Sequence, residues 1–287
     1  MNLHSGDETG QGKVRTKMIR GAGMDFQRGM WAEAWVQSVA AFKFVALGIV
    51  GELALEQSME WLGDPMSPSL VVAGLLASTY VWCFLAYTIH AQILSAPDRG
   101  PARYNVRVFG FALRTIAIFV VVWGAMIGLA FVLGRIPGLR EFLAVGIEVP
   151  VLGEVSRFFV GMLTMLLVVG FPLFVCLAMI LPAYAADRTG SVVVAFQRGR
   201  AQFGWIAGRL LIGPFFLTAL LIALIFLPAI QINDVGLFWI GDGGFKPIAF
   251  LWSVLNYAVS AFGVSLTAVI LSRAFLRAEG MPDAVAA

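Results

Sequence analysis

Charge is what this sequence has least of. Asp, Glu, Lys and Arg together supply 13% of its 287 residues, about half the share typical of a soluble domain. Hydrophobic residues supply 60%. Such a chain cannot cover a folded surface with polar groups, which excludes the soluble globular and disordered classes. Two cysteines and the lack of a G-X-Y period exclude a disulfide framework and a collagen helix. Cys83 and Cys176 have no CxxC spacing and read as small apolar side chains. Only two histidines occur, His4 and His90, too few for a membrane haem held by two axial imidazoles. H-E-x-x-H, G-x-S-x-G, a Walker loop and a G-x-G-x-x-G opening a βαβ unit are also absent. No catalytic residue, metal site or cofactor is therefore assigned. A net charge of +3, spread along the chain, gives no reason to expect a nucleic-acid partner.

What is present is six apolar runs long enough to cross a bilayer: Val36–Leu53, Leu70–Ile93, Val108–Leu133, Phe158–Leu181, Leu210–Ile230 and Ile248–Leu271. Hydrocarbon cannot satisfy backbone N–H and C=O groups, so each should be a helix that bonds internally. Their all-round hydrophobicity excludes the alternating strands of a membrane barrel. The expected fold class is all-α, an integral membrane bundle of six transmembrane helices with two amphipathic interfacial helices. The first run is divided by Lys43 and ends towards Glu52 and Glu56, expected near the outer boundary with water in reach.

Basic residues set the orientation. The N-terminus, the second and fourth loops and the C-terminus hold fourteen of the twenty Lys and Arg residues, among them Lys13, Arg28, Arg107, Arg198 and Arg273. The opposite side holds four: Arg135, Arg140, Arg157 and Lys246. Both termini are expected in the cytoplasm, in a bacterial inner (plasma) membrane. Residues 1–23 lack the apolar core of a secretory signal and are expected to form a disordered tail. The membrane domain should span 24–276, with 277–287 a cytoplasmic C-terminal tail.

Two segments mix aromatic and basic residues as an interfacial helix does. One, 24–36, precedes the first run; the other, 191–209, precedes the fifth. Phe26-Gln27-Arg28-Gly29 recurs as Phe196-Gln197-Arg198-Gly199, and Trp35 recurs as Trp205, which suggests a parallel repeat of 24–93 in 191–271, an arrangement known in transporters. Arg28, Trp35, Arg198, Arg200 and Trp205 are the candidate headgroup or interface contacts.

Between the third and fourth runs, Leu139–Ile147 is expected to form a short surface helix between Pro137 and Pro150. Pro172 and Pro214 predict kinks. The small-residue pairs Gly124 and Gly128, Gly74 and Ser78, and Ala261 and Ser265 are expected to pack helices internally. The intramembrane polar candidates are Lys43, His90 and Arg114. Lys43 and Arg114 are expected to snorkel to the interface, and His90 to join Thr88 and Gln92 in an interfacial cluster. Asn256, Tyr257, Ser260, Ser265 and Thr267 make the last run the most polar, but Val264 interrupts the line and no pore is implied.

Leu181-Pro182-Ala183-Tyr184-Ala185-Ala186-Asp187, followed by Ser191, Ala195, Phe196, Arg198 and Trp205, resembles a bacterial membrane-domain family found alone or fused to glycerophosphoryl diester phosphodiesterases. The resemblance covers some 50 residues and loose motifs. It implies a six-helix fold in which Pro182 stops a span, Ser191 caps the next helix and Arg198 faces headgroups. No catalytic domain accompanies it, so it carries no phosphodiesterase activity.

The expected function is that of a non-enzymatic membrane protein with a structural, assembly or lipid-organising role. Its partners would be membrane lipids, a membrane protein complex or a second copy of the chain. The alternative is a small transporter or channel subunit built on the repeat.

Overall fold

The computed structural model describes residues 29–61, 68–94, 101–136, 138, 146–149, 153–188, 191–221, 239–240 and 244–280. The expected tail 1–23 and the candidate Arg28 lie outside the described residues. Helices dominate, with two short hairpins besides. Among the described residues, five helical spans are long and apolar enough to cross a membrane: Val72–Ile93, Tyr104–Leu133, Gly161–Ala185, Phe203–Leu221 and Pro247–Ala278. A sixth is made if the bent pair α1 (Met30–Ala40) and α2 (Phe42–Trp61) is one broken span. This is a multi-pass α-helical membrane protein.

The chain divides into two compact units, Met1–Ala96 with Leu210–Ala287, and Pro97–Arg209. The first contains α1, α2 and α3 (Pro68–Ile93), and the last helix, Pro247–Ala278. The interfacial helix expected at 24–36 starts at Met30 and runs on to Ala40, where the chain turns by 80° into α2. The straight helix that follows therefore begins at Phe42, six residues later than the apolar run suggests. No Gly or Pro breaks the helix at Ala41. The turn follows from docking: Glu33 and Ala34 are buried, and the rings of Trp31 and Trp35 lie 5.9 and 6.4 Å from that of Phe262 on the last helix. Further along, Gly48 of α2 lets the Trp82 ring of α3 come close, since a Cβ there would stand 3.0 Å from it.

The fifth span opens with a helix at Phe203–Leu210 and widens into a π-turn, Leu211–Phe215. Pro214 in that turn has no N–H to give a carbonyl one turn back, and π-turns accommodate such a gap. Gly213 within it sits against Leu266 and Ile270 of the last helix, where a Cβ would collide. That helix is buried from Leu266 to Phe275 except for Thr267.

The second unit contains α4 (Pro101–Leu133), a hairpin of β1 (Gly146–Val149) and β2 (Gly153–Ser156), and a segmented fourth span. The hairpin pairs Gly146 with Ser156 and Val149 with Gly153. Gly146 and Ile147, expected at the end of a surface helix, are thus in a strand. The rest of that expected helix, 139–145, lies outside the described residues.

The fourth span comprises α5 (Arg157–Met165), a π-turn (Leu166–Gly170), α6 (Phe171–Leu177) and α7 (Ile180–Ala185). Pro172 follows the π-turn as Pro214 occupies the other one. Pro182 does not stop the span as the resemblance implies. It lies inside α7, and its missing N–H frees the carbonyl of Ala178 at the break one turn earlier, where the Leu181 N–H donates instead at 3.0 Å. The span ends after Ala185, where Asp187 adopts φ 60° and the Arg188 N–H returns to the Ala183 carbonyl at 2.9 Å, the pattern of a left-handed C-cap.

This unit also contains α8 (Val192–Ala201). Ser191 caps it, its Oγ accepting from the Val194 N–H at 3.2 Å. Gly199 brings α8 onto α6 so closely that a Cβ would lie 2.5 Å from Cys176 Cα. In the first unit the last helix, α9, completes the order.

Candidate functional site

Phe42–Trp61 is 20 residues long, about 30 Å. Glu52 stands ten residues along it, about 15 Å from either end. The carboxylate expected near the outer boundary is therefore at mid-helix, and the reason is the turn at Ala41, which sets where the helix starts. Glu52 is buried, and Ser78 Oγ of α3 donates to its Oε1. One turn further on, Glu56 Oε2 accepts from the Tyr257 hydroxyl of α9 at 2.9 Å, and its Oε1 from Ser253 Oγ at 3.5 Å. Three helices thus supply hydroxyl donors and carboxylates to one another. Among the described residues no Lys or Arg pairs with either glutamate. Gly74, a turn before Ser78, is buried, so this small-residue pair does lie at a packed face.

Two further polar contacts sit toward the opposite end of α9. His90 is buried, and its Nδ1 is 2.6 Å from Ser272 Oγ. It does not cluster with Thr88 and Gln92: Thr88 bonds the Phe84 carbonyl of its own helix, and Gln92 is exposed. Arg273 is buried with Glu33 of α1, its Nε within 3.1 Å of both carboxylate oxygens and its Nη2 2.5 Å from Oε1. Along α9 the polar contacts extend from Ser253 and Tyr257 to Ser272 and Arg273, some 30 Å of helix. Ser265 is fully buried between these ends and bonds the Ala261 carbonyl.

Sequence reading singled out His90 but missed Ser272, Glu33 and Arg273 as a set, because the partners are 182 and 240 residues apart. The one available signal was Glu33 itself, an acid in a segment otherwise composed like an interfacial helix.

The other candidates are dispersed. Lys43 is exposed at the start of α2, just past the turn. Trp35 is 64% exposed on α1. Arg200 is exposed, whereas Arg198, expected to face headgroups, is half-buried with Nη1 enclosed. Trp205 carries the Arg209 guanidinium 3.9 Å above its ring. The chain breaks that follow the two echoed segments fall at Ala41 and at Gln202 rather than 170 residues apart, and Gly29 starts a helix while Gly199 packs near the end of one.

Arg114 belongs to a separate cluster in the second unit. Its Cζ lies 3.9 Å above the Tyr184 ring, and its Nη1 donates to the Gly110 carbonyl at 2.8 Å. Arg107 approaches the same ring at 5.6 Å and donates from Nη2 to Asp187. Among the described residues no three His, Cys, Asp or Glu side chains converge in a way that could hold a metal ion. Comparison with family models, with curated proteins and with solved structures finds no match to this chain.

Proposed function

We propose that this membrane protein is a small, non-enzymatic transporter or channel subunit that carries a proton or a small cation through Glu52 and Glu56. The observation that supports the reading is the placement of two carboxylates along one helix face, one buried at mid-helix and the next a turn away. Their partners there are hydroxyl donors, and among the described residues no basic side chain pairs with them. An ionised carboxylate in hydrocarbon is costly, and such residues mark ion and proton pathways as a rule. With no counter-cation among the described residues, the charge is to be neutralised by something that arrives, a proton or a cation. Hydroxyl partners suit that task, because they donate to a carboxylate and accept from a carboxylic acid. The broken first span and the π-turn at Pro214 add irregular backbone of the kind transporters use around a site.

The experiment is ion flux into proteoliposomes, with Glu52→Gln, Glu56→Gln and the double variant. Glutamine keeps the shape and the acceptor for Ser78, so thermal stability should hold while flux falls to background in the double variant. Wild-type flux in the double variant, or no proton or alkali-cation flux in the native protein, sinks the proposal.

A lipid- or partner-organising role is the second reading, favoured by the exposed Trp35 on α1. Co-purification from membranes with a defined lipid or protein complement tests it. The proposal places the protein in a bacterial inner membrane with both termini in the cytoplasm, on the strength of the fourteen-to-four distribution of basic residues; reporter fusions at each end check that orientation.

A further inference from the structure

The geometry points to a second site, in the other unit and independent of the transport reading: Arg114, stacked on Tyr184, receives the phosphate of an anionic phospholipid. Arg114 is exposed and has five N–H donors, of which one is engaged, by the Gly110 carbonyl. Among the described residues no carboxylate compensates it. Its flank is occupied by Arg107, a second cation brought against the same ring, whose charge is already met by Asp187. Two guanidiniums converging on one aromatic ring, with one counter-charge between them, leave a local excess of one positive charge.

The cluster is built rather than incidental. Gly110 is the residue that admits Tyr184, since a Cβ at that position would collide with the Tyr184 hydroxyl. Asp187 holds a left-handed backbone conformation, φ 60°, that a non-glycine residue enters at a cost, and its carboxylate is what meets Arg107. Stacking on an aromatic face orients the planar guanidinium and leaves its edge free for a phosphate.

The surroundings identify a lipid. α4 is 33 residues long, about 50 Å, so it overreaches a hydrocarbon core of about 30 Å. Arg114 stands nineteen residues before Leu133, about one hydrocarbon thickness, so that with Leu133 at one boundary its guanidinium reaches headgroup depth on the Pro101 side. From Arg114 the same helix face continues through Ala117, Val121, Gly124 and Gly128, all exposed, and a Cβ on either glycine would meet nothing within 4 Å. An acyl chain can lie along that shallow track while its phosphate meets Arg114. The neighbouring Phe109 and Leu113, both more than half exposed, complete an apolar surround that a free anion would not need.

The test is native mass spectrometry of the full-length protein, delipidated in detergent and titrated with phosphatidylglycerol or phosphatidylcholine. Retention of phosphatidylglycerol should exceed that of phosphatidylcholine, fall about tenfold in Arg114→Ala, and be only partly restored in Arg114→Lys, which keeps the charge but loses the planar fork. Tyr184→Leu, which removes the stacking platform, should weaken retention with Arg114 intact. A large excess of inorganic phosphate should not displace the lipid. Equal retention by the native protein and Arg114→Ala, no preference for the anionic lipid, or full displacement by inorganic phosphate overturns the assignment.

Discussion

The two units treat charge in opposite ways. In the first, Glu33 and Arg273 are sealed against each other, His90 is enclosed with Ser272, and Glu52 is closed off by Ser78. In the second, Arg107 and Arg114 gather over the ring of Tyr184, where Arg114 is exposed. Buried pairs rigidify only while both members are present, whereas an exposed cation is held by water and headgroups whatever its neighbours do. The first unit should therefore be fragile to single polar substitutions. The second should depend on close backbone packing, as at Gly199, and tolerate changes at its exposed surface.

The harshest test of this contrast is Arg273→Ala. It removes the buried guanidinium from which both Glu33 carboxylate oxygens accept and should cost about 3–5 kcal/mol. Thermal unfolding in detergent reads the loss. Replacing both residues, Arg273→Met with Glu33→Leu, should recover most of it, and a single variant as stable as the native protein would break the comparison. Next comes Gly199→Ala, where the new methyl meets the Cys176 backbone, which cannot swing aside as a side chain can. The expected cost is about 1–3 kcal/mol, seen in the same measurement.

These first two sites differ in how far they could be read from sequence. Gly199 was noticed as part of an echo, but its contact with Cys176 depends on how α8 crosses α6. Arg273 was counted among the basic residues that orient the chain, and nothing in its neighbourhood announces an acid 240 residues earlier. The helices themselves were legible. The second, third and sixth runs correspond to described helices, and long apolar runs have one backbone solution in hydrocarbon. Ser191 was legible too, because a helix cap is a local bond between residues three apart. Its substitution, Ser191→Ala, should cost about 1 kcal/mol and so provides a local reference for the two tertiary effects.

The smallest effect is expected at Gly124→Ala. The pair Gly124 and Gly128 was expected to pack inside the bundle, yet both are exposed with open space where a Cβ would go. With no packing to disturb, the better helix propensity of alanine should leave stability unchanged or raise it by up to about 1 kcal/mol. A loss of several degrees in unfolding temperature would mean that this face is covered after all.

Sequence alone determined the solvent this chain lives in and the kind of element it forms there. Both follow from composition and run length, since unpaired backbone groups cannot survive in hydrocarbon. Tertiary structure decided where the first straight helix begins and therefore where its carboxylates stand. The turn at Ala41 has no breaker residue to announce it; it exists because Glu33, Trp31 and Trp35 find Arg273 and Phe262 on a helix at the far end of the chain. That docking shifts Glu52 from an expected boundary to mid-helix, and the partners of a buried charge are set by packing rather than by any local pattern of residues.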